Sequence, residues 1–260
     1  MQILPFVKIL GKNMRLKIRH KIPQGQELVL PNSYHHILQS IIYTALDISP
    51  EFGQKLHNEG YKITNRSYKL FTFSEISGKY RISNGFIIFY EDVHFEVSSV
   101  DPYFIKTLKS GLLEKGITYG HHHFDKLMLE ISDDTIEESS IKIKMISPIT
   151  VYATDLYTNE TEYFSPKDSS FSEYINDNFK RKYEAYCETI PTSNIKIELL
   201  KDFTPKLKVI TKYHDMYIEA WRGQYVLTGE RKYLDFLYQV GLGAKNSQGF
   251  GMFEVLKNNN

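Results

Sequence analysis

The chain has 260 residues, 42% hydrophobic and 24% charged, with 15 glycines and 9 prolines; this describes one large or two small globular domains and excludes collagen-like, low-complexity and wholly disordered chains. Lys plus Arg number 32 against 31 Asp plus Glu, a net charge of +1, so affinity for a polyanion has to come from local clustering. The longest apolar run, Phe86–Tyr90, is far short of the ~20 residues of a membrane helix, and the single cysteine, Cys187, allows no internal disulfide and no cysteine zinc cluster, so a cytoplasmic chain with no membrane partner is expected.

Residues 1–13 read as an extension; Met1–Leu10 is apolar but lacks the basic stretch and small-residue cleavage site of a signal peptide. In Met14–Ile22, the apolar Met14, Leu16, Ile18 and Ile22 alternate with Arg15, Lys17, Arg19 and Lys21, the pattern of a strand with one four-cation face. Pro31-Asn32-Ser33 opens a helix to about Asp47, with a stripe of Ile37, Leu38, Ile41, Ile42, Ala45 and Leu46. Ser49-Pro50 starts a shorter helix ending near Gly60. Lys69–Ser74 and Phe86–Glu91 read as strands, Pro102–Lys115 as a helix, Lys126–Ser132 and Ile141–Tyr152 as strands. The order strand, helix, strand, strand, helix, strand is ferredoxin-like. It recurs from Ile141: a helix over Ser169–Thr189, strands over Ile195–Leu200 and Lys206–Lys212, a strand region over Tyr217–Leu227, a helix over Glu230–Val240 and a strand over Gly251–Leu256. The expected fold is α+β, two tandem ferredoxin-like (RRM-like) domains at 14–140 and 141–256.

The most distinctive segment is Gly241-Leu242-Gly243-Ala244-Lys245-Asn246-Ser247-Gln248-Gly249-Phe250-Gly251. It lacks the Gly-Lys-Ser/Thr of a P-loop, and it follows a helix rather than the strand of a dinucleotide fingerprint. A tight helix-to-strand connection would use glycines at positive φ; bare backbone N–H groups at Gly241, Gly243, Asn246, Gly249 and Gly251 beside Lys245 would also suit a passing phosphate backbone. A further basic group is Lys180-Arg181-Lys182. His121-His122-His123 invites a metal reading, but consecutive strand residues point to opposite faces and converge poorly on one ion.

The glycine-rich loop with Met252-Phe253-Glu254-Val255 resembles the C-terminal signature of the CRISPR-associated repeat-processing endoribonucleases of the RAMP superfamily. The resemblance extends to Ser147-Pro148-Ile149, Ala220-Trp221, Lys69-Leu70-Phe71-Thr72-Phe73-Ser74 and the Leu38-Gln39-Ser40-Ile41-Ile42-Tyr43 helix, spanning about Met14 to Leu256. It implies two ferredoxin-like domains, in agreement with the element order. It also implies a catalytic tyrosine, histidine and lysine, which fall on Tyr43, His57 and Lys69. By its own position, Tyr43 lies about 150° round the helix from the apolar stripe, on a face shared with His36, Gln39 and Ser40. His57 sits near a helix C-terminus, whose partial negative charge favours imidazolium.

The activity implied is cleavage of repeat RNA in the precursor transcript (pre-crRNA) to yield guide crRNAs. The 2′-hydroxyl attacks the adjacent phosphate, leaving 2′,3′-cyclic phosphate and 5′-hydroxyl ends. His57 and Tyr43 would share acid and base work and Lys69 would stabilise the phosphorane. No cofactor or metal is called for, because the nucleophile is on the substrate. The expected RNA path is Arg15, Lys17, Arg19 and Lys21 with the glycine loop. Other subunits of an interference complex are further candidate partners, for a monomer or homodimer. The alternative is a non-catalytic repeat-RNA binder or structural RAMP subunit.

Overall fold

The computed structural model describes residues 14–155, 157–213 and 216–257; the extension expected at 1–13 lies outside them. Period-two alternation forms β1 (Arg15–His20), which buries Leu16, Ile18 and His20 on one face. β2 (Leu28–Pro31), α1 (His35–Leu46) and α2 (Pro50–Asn58) follow. Then come β3 (Tyr61–Ile63), β4 (Arg66–Tyr68), β5 (Phe71–Phe73), β6 (Tyr80–Ser83), β7 (Phe86–Phe89) and β8 (Val93–Ser99). α3 (Pro102–Lys115), β9 (Ile117–Tyr119), β10 (His122–Phe124) and β11 (Leu127–Ser132) end the first half. Its main sheet is antiparallel in the order β11-β1-β8-β5, which places the four strands of a β-α-β-β-α-β unit as fourth, first, third, second. At Gly111 in α3 an added Cβ would lie 1.8 Å from the Ala45 carbonyl oxygen of α1, so the two helix backbones touch where no side chain fits.

The second half repeats the topology. β12 (Ser140–Met145), α4 (Ser170–Cys187), β15 (Lys196–Leu199), β18 (Gln224–Thr228), α5 (Arg231–Val240) and β19 (Phe253–Val255) give a sheet ordered β15-β18-β12-β19. Two additional hairpins, β13 (Tyr152–Thr154) with β14 (Thr161–Tyr163) and β16 (Lys208–Tyr213) with β17 (Met216–Trp221), stand beside it.

Two expected strands are corrected. The inner strand beside β1 in the first sheet is β8, where Val93, Phe95 and Val97 are all buried. Phe86–Glu91 instead supplies β7 of a separate sheet, β2-β7-β6, on which Ile82 and Phe86 are exposed. The region Tyr217–Leu227 is two strands, parted at Gly223, whose φ of +135° ends β17's course.

The halves are pinned together by β1. Arg15 is buried; its guanidinium donates to the carbonyls of Tyr238 (3.2 Å) and Phe253 (3.0 Å) and lies 3.9 Å over the Tyr238 ring. Lys17 is flanked in register by Glu96 on β8 and Glu130 on β11, with Glu96 at 3.9 Å. Lys21 lies beyond the strand, and it and Arg19 are exposed. The four-cation face is thus corrected: Arg15 is an internal strut and Lys17 is neutralised within the sheet.

Candidate active site

α1 carries Tyr43 and α2 carries His57 in its last turn. Their rings meet edge-on, 4.9 Å apart at 80°, and Tyr43 also packs edge-on against Phe71 of β5 at 5.9 Å. Lys69 closes the group: its Nζ donates to the His57 carbonyl at 2.7 Å. Lys69 is held there by the residue after it. Leu70 has a φ of +51°, a left-handed conformation unusual for a bulky side chain. It is over-determined by burial of that side chain in the second half's core and by the Ser99 hydroxyl, which donates to its carbonyl at 3.0 Å. The three residues singled out in the sequence therefore converge from two helices and a link between strands.

Tyr43 is more enclosed than its place on the helical wheel suggested. Burial, with a smaller push from Tyr213, raises its phenol to about 12. It stays protonated at neutral pH and can donate a hydrogen bond, but it is a poor proton acceptor. The Lys69 ammonium is pushed down, first by burial and then by Lys62. The exposed His57 has its Nδ1 3.1 Å from the Asn58 side-chain oxygen.

Beside Lys69 a cavity of about 630 Å³ opens between the β4–β5 segment, α4, β13 and the glycine loop. Arg66, Lys69, Arg181 and Lys245 line it against one carboxylate, Asp177. Lys245 lies 5.0 Å over the Tyr152 ring.

The glycine loop is built for internal packing. At Gly249 (φ +88°) a Cβ would meet the Phe73 ring at 2.5 Å, and at Gly251 (φ +79°) the Leu242 carbonyl oxygen at 1.9 Å. Gly241 and Gly243 also have positive φ, with the Asn246 amide and the Thr150 carbonyl in the space a side chain would take. These glycines make room for the protein's own atoms, and internal packing by itself requires glycine at these positions. Asn246 is likewise internal: it donates to the carbonyls of Leu242 (2.9 Å) and Phe250 (3.0 Å).

Sequence reasoning missed the residue that organises this loop. Lys182 of α4 is 2% exposed, and its Nζ donates to Gly241 O (2.6 Å), Gly243 O (3.2 Å) and Asn246 Oδ1 (3.1 Å). Burial lowers its pKa to about 7. Gln39 then ties the loop to α1, one turn before Tyr43: its amide donates to Ser247 O at 2.7 Å and its side-chain oxygen accepts from the Tyr213 hydroxyl. The His121–His123 run lies on the β9–β10 hairpin, and among the described residues no group of three His, Cys, Asp or Glu is arranged to hold a metal.

Comparison with known families resolves what this arrangement belongs to. The family description "CRISPR associated protein Cas6, C-terminal" matches residues 130–255, and "CRISPR-associated protein Cas6, N-terminal" matches residues 29–124. The chain belongs to the Cas6 family. It is 29% identical over 253 residues to "CRISPR-associated endoribonuclease Cas6 1" of Methanocaldococcus jannaschii, covering 94% of each chain. It is 26% identical over 249 residues to "CRISPR-associated endoribonuclease Cas6" of Pyrococcus furiosus, covering 93% of this chain and 90% of that one. A solved structure of a "CRISPR associated protein Cas6" superposes with a TM-score of 0.74 at 25% identity, over 94% of this chain and all of the other. A Cas6-related protein from Pyrococcus furiosus superposes at 0.77 with 22% identity over 95% of this chain, a likeness of fold. The two matched regions of this Cas6-family chain coincide with its two ferredoxin-like halves. No helix among the described residues is long and apolar enough to cross a membrane.

Proposed function

We propose that the chain is an endoribonuclease that cleaves CRISPR repeat RNA in the precursor transcript to release guide crRNAs, with Tyr43, His57 and Lys69 as its catalytic residues. The observation that carries this reading is their convergence: ring to ring at 4.9 Å and ammonium to carbonyl at 2.7 Å. An internal transesterification needs a proton taken from the 2′-hydroxyl, a proton given to the 5′ oxygen, and positive charge near the phosphorane. His57 is the proposed proton-transfer group, its exposed imidazole set edge-on to Tyr43. Tyr43, protonated up to about pH 12, donates a hydrogen bond to a reacting oxygen instead of acting as a base. Lys69 supplies the positive charge. The RNA reaches them along the cavity lined by Arg66, Arg181 and Lys245, with Arg19 and Lys21 as outlying phosphate contacts.

The test is product chemistry. Repeat RNA should be cut to a 2′,3′-cyclic phosphate and a 5′-hydroxyl end, with or without chelator, and a 2′-deoxy nucleotide at the scissile position should block the cut. Hydrolysis to a free 3′-hydroxyl, cutting of the deoxy substrate, or loss of activity on chelation would overturn the scheme.

A further inference from the structure

Buried polar side-chain atoms normally find a partner. Among the described residues, seven such atoms have none, and four of them belong to residues lining the cavity beside Lys69: Tyr68 Oη, Asn178 Oδ1, Arg181 Nε and Gln248 Oε1. The chemistry of this set selects the ligand. Four cations, Arg66, Lys69, Arg181 and Lys245, line the same cavity against Asp177 alone, so a metal ion is disfavoured and an anion favoured. A bare phosphate, however, offers only acceptors and leaves two amide oxygens unanswered. The ligand must bring both negative charge and N–H donors, which is what a nucleotide of single-stranded RNA does. The cavity volume of about 630 Å³ suits a group of that size, and its wall includes Tyr152, with Lys245 over its ring, and Tyr174, stacked on Phe164.

We propose that this cavity takes up one unstacked nucleobase of the substrate strand next to the scissile phosphate, and that Asn178 and Gln248 read its edge. The inference rests on the endoribonuclease reading only in taking RNA as the ligand and Lys69 as the mark of the cut. α4 presents Asn178 from one wall and the glycine loop presents Gln248 from another. A base between them would be gripped from both sides, whereas a wrong base would leave a buried amide unpaired.

The test separates base reading from cleavage. Affinity is measured for the locus's repeat RNA made with 2′-O-methyl sugars, which cannot undergo 2′-hydroxyl attack, with each position near the cut changed in turn to the other three bases. The wild type should discriminate about ten-fold or more at one position. The near-isosteric Asn178→Leu and Gln248→Met should flatten that preference and leave preferences elsewhere unchanged. Each removes an oxygen that accepts no hydrogen bond, so both should fold; Asn178→Ala and Gln248→Ala provide a second pair should either fail. Discrimination kept in the variants, or none in the wild type, overturns the base pocket while leaving cleavage intact. A flattened preference in a protein that cuts no unmodified RNA would uphold the pocket and overturn the endoribonuclease reading instead.

Discussion

A single buried ammonium shows what can be read from residue order and what cannot. Phe171, Ile175, Phe179, Lys182 and Tyr186 fall at helical spacing on one stripe of α4, and all five are buried. The stripe was visible in the sequence, and a lysine on it signals a buried charge rather than another surface cation of the Lys180–Lys182 cluster. Its partners, carbonyls far along the chain, were not legible. Because burial drops the Lys182 pKa from 10.5 to about 7, the folded state holds fewer protons than the unfolded state between those values. Stability contributed through this group therefore rises as pH goes from 7 towards 10.5 and is lowest at and below 7. Thermal melts of wild type and Lys182→Met across pH 6–10 should show the wild type gaining on the variant with rising pH; parallel curves would contradict a buried, titrating Lys182. Arg15 is the opposite case. Alternation alone put it on a cation face, and only the docked second half reveals the carbonyls it serves. Arg15→Met should cost about 3 kcal/mol in denaturant unfolding and leave the salt dependence of RNA affinity unchanged, whereas Arg181→Met should flatten the log–log slope by about 0.7.

Elements follow the sequence where one stripe or one alternation decides them. α3 runs over Pro102–Lys115, as the helical spacing of Phe104, Leu108 and Leu112 indicated. β8 was equally legible in Val93, Phe95 and Val97, but the continuous apolar run at Phe86–Tyr90 competes with it. That run belongs to a hairpin that buries Phe89 but leaves Ile82 and Phe86 exposed, a choice no local pattern encodes. The glycine-rich segment was evident as an element and ambiguous in purpose, because a loop that needs positive φ and a loop that admits a ligand select the same residue. Geometry separates them. Gly249→Ala and Gly251→Ala should each destabilise by at least about 2 kcal/mol, from strained φ and overpacking together, measured by chemical denaturation. Variants that melt like wild type but lose RNA affinity would return the loop to a purely RNA-contacting role. Gly111→Ala, at the α1–α3 crossing, should destabilise comparably, since its Cβ collides with backbone.

At the scale of the whole molecule, two ferredoxin-like units were readable from element order, while their docking was not. Docking is what makes the site: Leu70 of the first half is seated in the second half's core, and its left-handed backbone places Lys69. Lys182 shapes the glycine loop of the second half, which Gln39 of the first half grips one turn from Tyr43. The proposed catalytic group thus lies in the first half and is braced by the second. The most direct test of this account is the single-turnover cleavage rate of repeat RNA by His57→Ala, measured alongside its RNA affinity. Loss of a proton-transfer group should slow the cut by about 10²–10⁴-fold with affinity nearly unchanged, because the imidazole acts in the transition state. A near-normal rate in His57→Ala would contradict the assignment of the Tyr43, His57 and Lys69 group as the catalytic centre.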